Sequence, residues 1–373
     1  MRPTFSIIIP AYNVAPYVRA CLESVLAAVR EFEVWSLKFE VENRPCRDVE
    51  RVEGGVEVIC IDDGSTDETA SILSEYANQL QTSNLQPQTS NLQPQTSNPQ
   101  PRTSNFKLIR QRNAGVGAAR NAGLDAATGE WILFADADDA YLPETLVYLA
   151  KAVREADADV FHFGYCEVDV QNKPVAFDER PFRRYDLRSA QEARAAYAQT
   201  GMLMVWNVCA RRSVIGDLRF ETDMPIAEDC LFEQQLFFRA QSFAKTSTVL
   251  YKYYQRPGSA IHTPNLRGVD SAIRGMVKQH EAFESWPMRG SAVDVYRKRV
   301  RTTYCGQICE RLRLLPSADR RTAWQLYVEA GRKITRRLRL EHLAFCLGWC
   351  PLVELVAYLP YRMKVLAHKV ISR

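Results

Sequence analysis

The chain has 373 residues, 46% of them hydrophobic, enough to build a full core in two domains or in one domain with appendages. A net charge of +4 is too small to suggest a nucleic-acid partner, and the ten cysteines include no Cys-x-x-Cys pair, which argues against a zinc ribbon and for reduced, buried thiols on the cytosolic side. The charge is uneven: residues 289–373 hold 18 Lys and Arg against 6 Asp and Glu, a balance of +12, so residues 1–288 carry −8. In chain order, Phe5-Ser6-Ile7-Ile8-Ile9 reads as a buried strand ending in Pro10-Ala11-Tyr12-Asn13. It begins so early that no signal peptide is expected. A helix is predicted over Val18–Val29, and residues 33–55 read as an inserted excursion, a hairpin or irregular, able to cover a site. Val56–Ile61 is a second buried strand, ending in Asp62-Asp63-Gly64-Ser65-Thr66-Asp67, and a helix over Glu68–Ala77 follows.

Residues 81–105 repeat with period seven: Gln-Thr-Ser-Asn-Leu-Gln-Pro starts at Gln81, again at Gln88, and in altered form at Gln95. Each unit offers one Leu or Pro for burial, too little to offset ordering, so the stretch is expected to be a disordered loop inserted before a strand over Phe106–Ile109. Next come a helix over Val116–Ala127, stopped at Thr128-Gly129, and a strand over Trp131–Phe134 that runs into Ala135-Asp136-Ala137-Asp138-Asp139. Further predictions are a helix over residues 143–157, a strand over Val160–Tyr165, helices over 187–200 and 228–240, a strand over Val249–Tyr254 and helices from 268 onwards.

The first, second and fourth of these strands end in polar, turn-forming loops, which a parallel sheet sets along one edge, where α/β proteins bind ligands. The clustered carboxylates at Asp136–Asp139 repel one another unless a cation sits among them. All-oxygen ligands favour Mg²⁺ or Mn²⁺, shared with a phosphate-bearing substrate. An acidic surface turn is the plainer alternative.

The order Ser-Ile-Ile-Ile-Pro-Ala-Tyr-Asn, Val-Ile-Cys-Ile-Asp-Asp-Gly-Ser-Thr-Asp, Asn113-Ala114-Gly115-Val116-Gly117-Ala118-Ala119-Arg120-Asn121-Ala122-Gly123 and Asp136–Asp139 resembles the nucleotide-sugar half of family 2 glycosyltransferases. The resemblance is strong over residues 4–150 and looser over 200–260. It implies an α/β GT-A fold, a Rossmann-like mixed sheet flanked by helices, and transfer with inversion at the sugar carbon. The implied catalytic domain spans 1–265, with a nucleotide-sugar half (1–142, interrupted near 33–55 and 81–105) and an acceptor half (143–265). A basic helical region, 266–373, follows.

By the same resemblance, Asp138 ligates the metal, and Asp136 meets the ribose or reaches the metal through water. Asp139 points the other way by strand alternation. Pro10, Tyr12 and Asn13 cradle base and ribose, and Asp62 or Asp63 holds the base edge. Ser65 serves this pocket or caps the helix. Asn113, Gly115, Arg120 and Asn121 approach the nucleotide, with Arg120 equally able to pair with Asp136. Ile226-Ala227-Glu228-Asp229-Cys230 resembles the family's Glu-Asp motif, which makes Asp229 the general base and Glu228 its support or an acceptor contact. Trp206 stacks on a sugar or belongs to the core. Arg256 and His262 are candidate phosphate or metal contacts.

The implied partners are a nucleotide-sugar donor, best read as a UDP-sugar, and a glycan or lipid-linked acceptor of cell-surface polysaccharide synthesis. The apolar run 343–361 contains Glu354 and two prolines and is flanked by cations. This suits contact with an anionic membrane better than a spanning helix, and a subdomain packed on the enzyme is the alternative. The expected location is cytoplasmic, peripheral on the inner face of the plasma membrane. No Gln-x-x-Arg-Trp sequence is present, which favours single additions over processive ones. Two competing readings are an inactive nucleotide-sugar-binding scaffold and a dinucleotide oxidoreductase, the latter from Gly115-Val116-Gly117 opening a helix.

Overall fold

The computed structural model describes residues 4–42, 55–83, 106–168, 183–186, 204–255, 265–285, 311–312 and 314–334. The chain divides into two compact units, one of residues 1–223 with 228–257 and one of residues 224–227 with 258–373.

The first unit is built on a mixed sheet, nine-stranded among the described residues. Strands β1 (Phe5–Ala11), β2 (Val56–Asp62), β3 (Phe106–Arg110) and β4 (Trp131–Phe134) are parallel and lie in the order β3-β2-β1-β4. Every residue of β1, β2 and β4 is buried, as an apolar run covered on both faces requires. Phe5, Ile7 and Ile9 join a core with Val18, Leu22 and Val25 of helix α1 (Ala15–Glu42). Ile8 and Ile61 lie against Gly123 of helix α3 (Val116–Ala126), where a methyl group would collide with both. Glycine here allows close helix-on-sheet packing.

Helix α1 corrects one expectation. Residues 33–42 continue the helix rather than opening an irregular excursion. The stripe Val18, Leu22, Val25, Val29, Phe32 keeps helical spacing, and Phe32 packs edge-on against Phe5 at 5.7 Å. Helix α2 (Thr69–Ser83) likewise absorbs the first three residues of the repeat. The rest of the repeat, residues 84–105, lies outside the described residues.

Beyond β4 the sheet changes direction. Strand β8 (Val208–Arg211) pairs antiparallel with both β4 and β6 (Val160–Val168). Strand β9 (Ser242–Tyr254) runs parallel to β6 and pairs antiparallel with β5 (Ala140–Tyr141) and β7 (Arg183–Asp186). The β6–β9 register shifts at Gly164, where a methyl group would strike the Ser247 carbonyl oxygen. Helix α4 (Thr145–Glu155) follows β5, and the short helix α5 (Arg212–Ile215) follows β8. Strands β5 and β7 went unpredicted, being too short and too polar or mixed to show an alternation or an apolar run. The region 187–200 lies outside the described residues.

At the strand-start edge, buried Glu57 accepts hydrogen bonds from Ser6 Oγ (2.5 Å), the Thr128 and Gly129 N–H groups (2.5 and 3.0 Å) and Lys107 Nζ (2.8 Å). Burial opposes its charge, but the Lys107, Ser6 and Thr128 bonds hold its carboxyl below the ordinary value. One carboxylate thus clasps β1, β2, β3 and the turn before β4.

In the second unit, α7 (Leu266–Ser285) and α8 (Ser317–Ile334) pack together. Ser271 Oγ on α7 accepts the Ile226 N–H (3.1 Å) and donates to its carbonyl (2.7 Å). Among the described residues no helix is long and apolar enough to cross a membrane. The apolar run 343–361 lies outside them.

Candidate active site

The loops after β1, β2 and β3 are locked together by their own carboxylates. Asp63 Oδ1 accepts Gln111 Nε2 (2.7 Å) and the Ala114 N–H (2.9 Å), and its Oδ2 accepts the Gly115 N–H (2.8 Å). Gly115 has φ 92°, a conformation that favours glycine. Asp62 Oδ1 accepts the Ser65 N–H at 3.0 Å. Ser65 Oγ accepts the Asn13 N–H (3.2 Å), and Asn13 Oδ1 accepts the Thr66 N–H (2.8 Å). Asp67 accepts the Ala15 N–H (3.1 Å) and the Thr69 N–H (2.9 Å), so it caps the starts of both α1 and α2. Of the two readings of Ser65, the helix cap is taken by Asp67.

Pro10 is buried within β1, whereas Tyr12, Asn13 and Asn113 are exposed along this edge. Asn121 is turned away from it. Its amide clamps the Phe220 backbone, donating to the carbonyl (2.9 Å) and accepting the N–H (2.8 Å).

The second cluster forms where β4 ends. Arg120, only 4% exposed, donates to Asp136 Oδ1 (2.9 Å) and to Glu228 Oε1 (2.7 Å). Its guanidinium lies over the Phe220 ring at 5.4 Å, its Nε has no hydrogen-bond partner among the described residues, and Phe220 stacks on Phe232 at 3.9 Å. Of the two roles open to Arg120, the structure displays the pairing with Asp136, extended to Glu228. Glu228 and Asp229 open helix α6 (Glu228–Arg239). Glu228 is buried and ion-paired, and Asp229 is half-buried with Oδ1 accepting the Cys230 N–H at 2.8 Å.

Burial raises the carboxyls of Glu228 and Asp229, with further upward pressure on Glu228 from Asp229, while Arg120 restrains both. Glu233, one turn on, is raised well above its ordinary value by burial and then by Asp229. The Glu233 contribution was not anticipated; its spacing four residues after Asp229 was the available signal.

Asp139 is buried in the turn that follows β4. It accepts the Tyr251 hydroxyl (3.1 Å) and the Tyr254 N–H (2.9 Å), and the Tyr251 oxygen accepts the Asp136 N–H (3.0 Å). Burial and then Asp136 push Asp139 up to about 8. Asp136 and Asp138 are half-buried neighbours. Among the described residues no three His, Cys, Asp or Glu side chains form a ready-made metal cage. A hard cation bound with a diphosphate needs only one or two protein carboxylates, so the donor set at Asp136 and Asp138 fits Mg²⁺ or Mn²⁺.

Trp206 is buried, stacked on Tyr251 (4.7 Å) and Tyr253 (5.6 Å), so the core alternative holds and it offers no free face to a sugar. Arg256 and His262 lie outside the described residues.

The sequence profile of Glycosyl transferase family 2 matches residues 6–218, which span β1 to β8 and the Asp136–Asp139 cluster. The chain belongs to this family. EpsJ and EpsH, glycosyltransferases of Bacillus subtilis, are both 24% identical to it, over 76% of the chain and 69% of EpsJ and over 80% of the chain and 74% of EpsH. Among solved structures, S. aureus TarS 1-349 in complex with UDP-GlcNAc aligns with 92% of each chain at a TM-score of 0.56 and 18% identity. That likeness supports the GT-A form of the mixed sheet with its helical C-terminal addition.

Proposed function

We propose that the chain transfers a glycosyl group from a nucleoside diphosphate sugar, best read as a UDP-sugar, to a hydroxyl of a glycan or lipid-linked acceptor, with inversion and with Mg²⁺ or Mn²⁺. One observation carries this reading: the carboxylates that end β4 and the carboxylates that open α6 meet at a single buried arginine. In this reading Asp138, aided by Asp136, holds the cation, which when bound stabilises the charge growing on the departing diphosphate. Asp62 faces the base edge, because Asp63 is occupied by three donors of the Gly115 turn. Tyr12, Asn13 and Asn113 line the base and ribose pocket.

Asp229 takes the proton of the acceptor hydroxyl. The acceptor oxygen forms a bond to the anomeric carbon as the bond from that carbon to the phosphate oxygen breaks, and the diphosphate leaves with the electron pair. A carboxyl raised by burial is a stronger base than an ordinary aspartate, which suits this role. Cell-surface polysaccharide assembly from the cytoplasmic side is the context favoured by the family resemblance and by the basic C-terminal region.

Calorimetric titration of UDP and GDP, each with and without Mn²⁺, into wild type and Asp138→Ala tests the donor site. Metal-dependent binding of UDP that is lost in Asp138→Ala is expected. GDP preference corrects the base, and absence of nucleotide binding overturns the reading.

A further inference from the structure

Strands β6 and β9 pair Tyr165 with Tyr251 and Glu167 with Tyr253. Residues in register share a face of the sheet, so these four side chains line one surface. Trp206 lies flat against Tyr251 and Tyr253, and Tyr165 meets Trp206 edge-on at 4.7 Å. The stack is anchored at the carboxylate cluster, since Tyr251 bonds Asp139 and the Asp136 N–H, and Asp139 accepts the Tyr254 N–H. At its outer margin, Gln255 Nε2 donates to Glu167 Oε2 at 2.6 Å, and both residues are exposed. Tyr165 is 42% exposed, the one outlying ring of an otherwise covered stack, and Tyr253 is half-buried.

We propose that Tyr165, Tyr253 and Glu167 form a carbohydrate-binding platform that seats the acceptor sugar ring beside the Asp136–Asp139 loop. The chemistry matches a pyranose. An aromatic face carries negative charge density that attracts the polarised C–H groups of a sugar face. A carboxylate and an amide at the margin accept and donate to ring hydroxyls, the few placed polar groups that orient a ligand on an apolar surface. A purely apolar partner would leave Glu167 and Gln255 without use. Rigid packing on Trp206 keeps the ordering cost of the platform low. The acceptor role rests on the transferase reading given above.

The test uses the full chain as wild type, Tyr165→Ala, Tyr165→Phe and Glu167→Gln. Methyl glycosides of glucose, galactose, mannose and N-acetylglucosamine are followed by saturation-transfer NMR, and UDP with Mn²⁺ is titrated into the same samples. At least one glycoside should bind wild type, weaken roughly tenfold in Tyr165→Ala, and keep most of its affinity in Tyr165→Phe. Unchanged UDP affinity in Tyr165→Ala certifies its fold. If no glycoside binds wild type, or binding is equal in Tyr165→Ala, the platform is overturned. If glycoside binding tracks Tyr165 while UDP binds no form of the protein, the sugar site stands and the transferase reading falls.

Discussion

The two halves of the sheet organise polar groups by different means. In the parallel half, β1 to β4, carboxylates hold backbone: Asp63 grips the Gly115 turn and Asp67 caps two helices. Where α3 and the turn after β4 meet α6 and β9, side chains hold side chains across long stretches of sequence: Arg120 to Glu228, and Asp139 to Tyr251. In the proposed function the first arrangement shapes the donor site, and the second sets the surroundings of the carboxyls assigned to the reaction. Mutations should separate these two jobs.

The largest effect is expected at Asp229→Asn, which removes the carboxylate assigned as proton acceptor in the proposed function. Turnover should fall about 10²–10⁴-fold while UDP affinity is kept, as read by donor consumption alongside calorimetry. Next comes Arg120→Ala, which strips the cation from a buried nest of acids and should cost about 3–5 kcal/mol in denaturant unfolding. Arg120→Lys should recover only part of this, because an ammonium lacks the fork that spans Asp136 and Glu228.

Asp63→Asn is a smaller, shape-only change. It sets an amide against one of the turn N–H groups and should cost about 1–3 kcal/mol, with a loss of UDP affinity but no change in the pH dependence of turnover. If turnover in Asp63→Asn shifts with pH as it does in base-helix variants, the two halves are not separable in this way.

Glu57 tests the far edge through pH. Its folded carboxyl lies below its ordinary value, so its stabilisation is full above the unfolded value of about 4.3 and is lost as pH falls through the lower folded value. Glu57→Gln should therefore be less stable than wild type near neutral pH, with the gap narrowing in acid. The smallest effect is expected from deleting residues 88–101, two units of the repeat. Loop-closure entropy changes only with the logarithm of length, so stability should move by less than about 1 kcal/mol.

Legibility in the sequence followed the same division. Phe5–Ile9 and Val56–Ile61 are apolar but for Ser6 and Glu57, Trp131–Phe134 is apolar throughout, and each is a buried strand. The ordered loops identified the family because each motif is contiguous. What escaped was anything assembled from afar. Strands β5 and β7 are specified by their partners rather than by alternation. Trp206 reads equally well as platform or core until Tyr251 and Tyr253 stack on it. That Asp63, and not Asp62, would hold the Gly115 turn depends on a distance that no local pattern encodes. The continuation of α1 past Val34 was present in the spacing of Val25, Val29 and Phe32, but a short alternation over residues 31–34 obscured it.

The two interruptions of the parallel half, between Glu42 and Val56 and between Ser83 and Phe106, both join a helix end to the start of a strand. Crossover helices return the chain to the strand-start edge, opposite the edge that bears Asp62 and Asp136. Both segments therefore leave and rejoin the described fold at the margin opposite those carboxylates. For protein engineering, Ser83 and Phe106 bracket the place to try a tag or a reporter domain, because both lie at that margin.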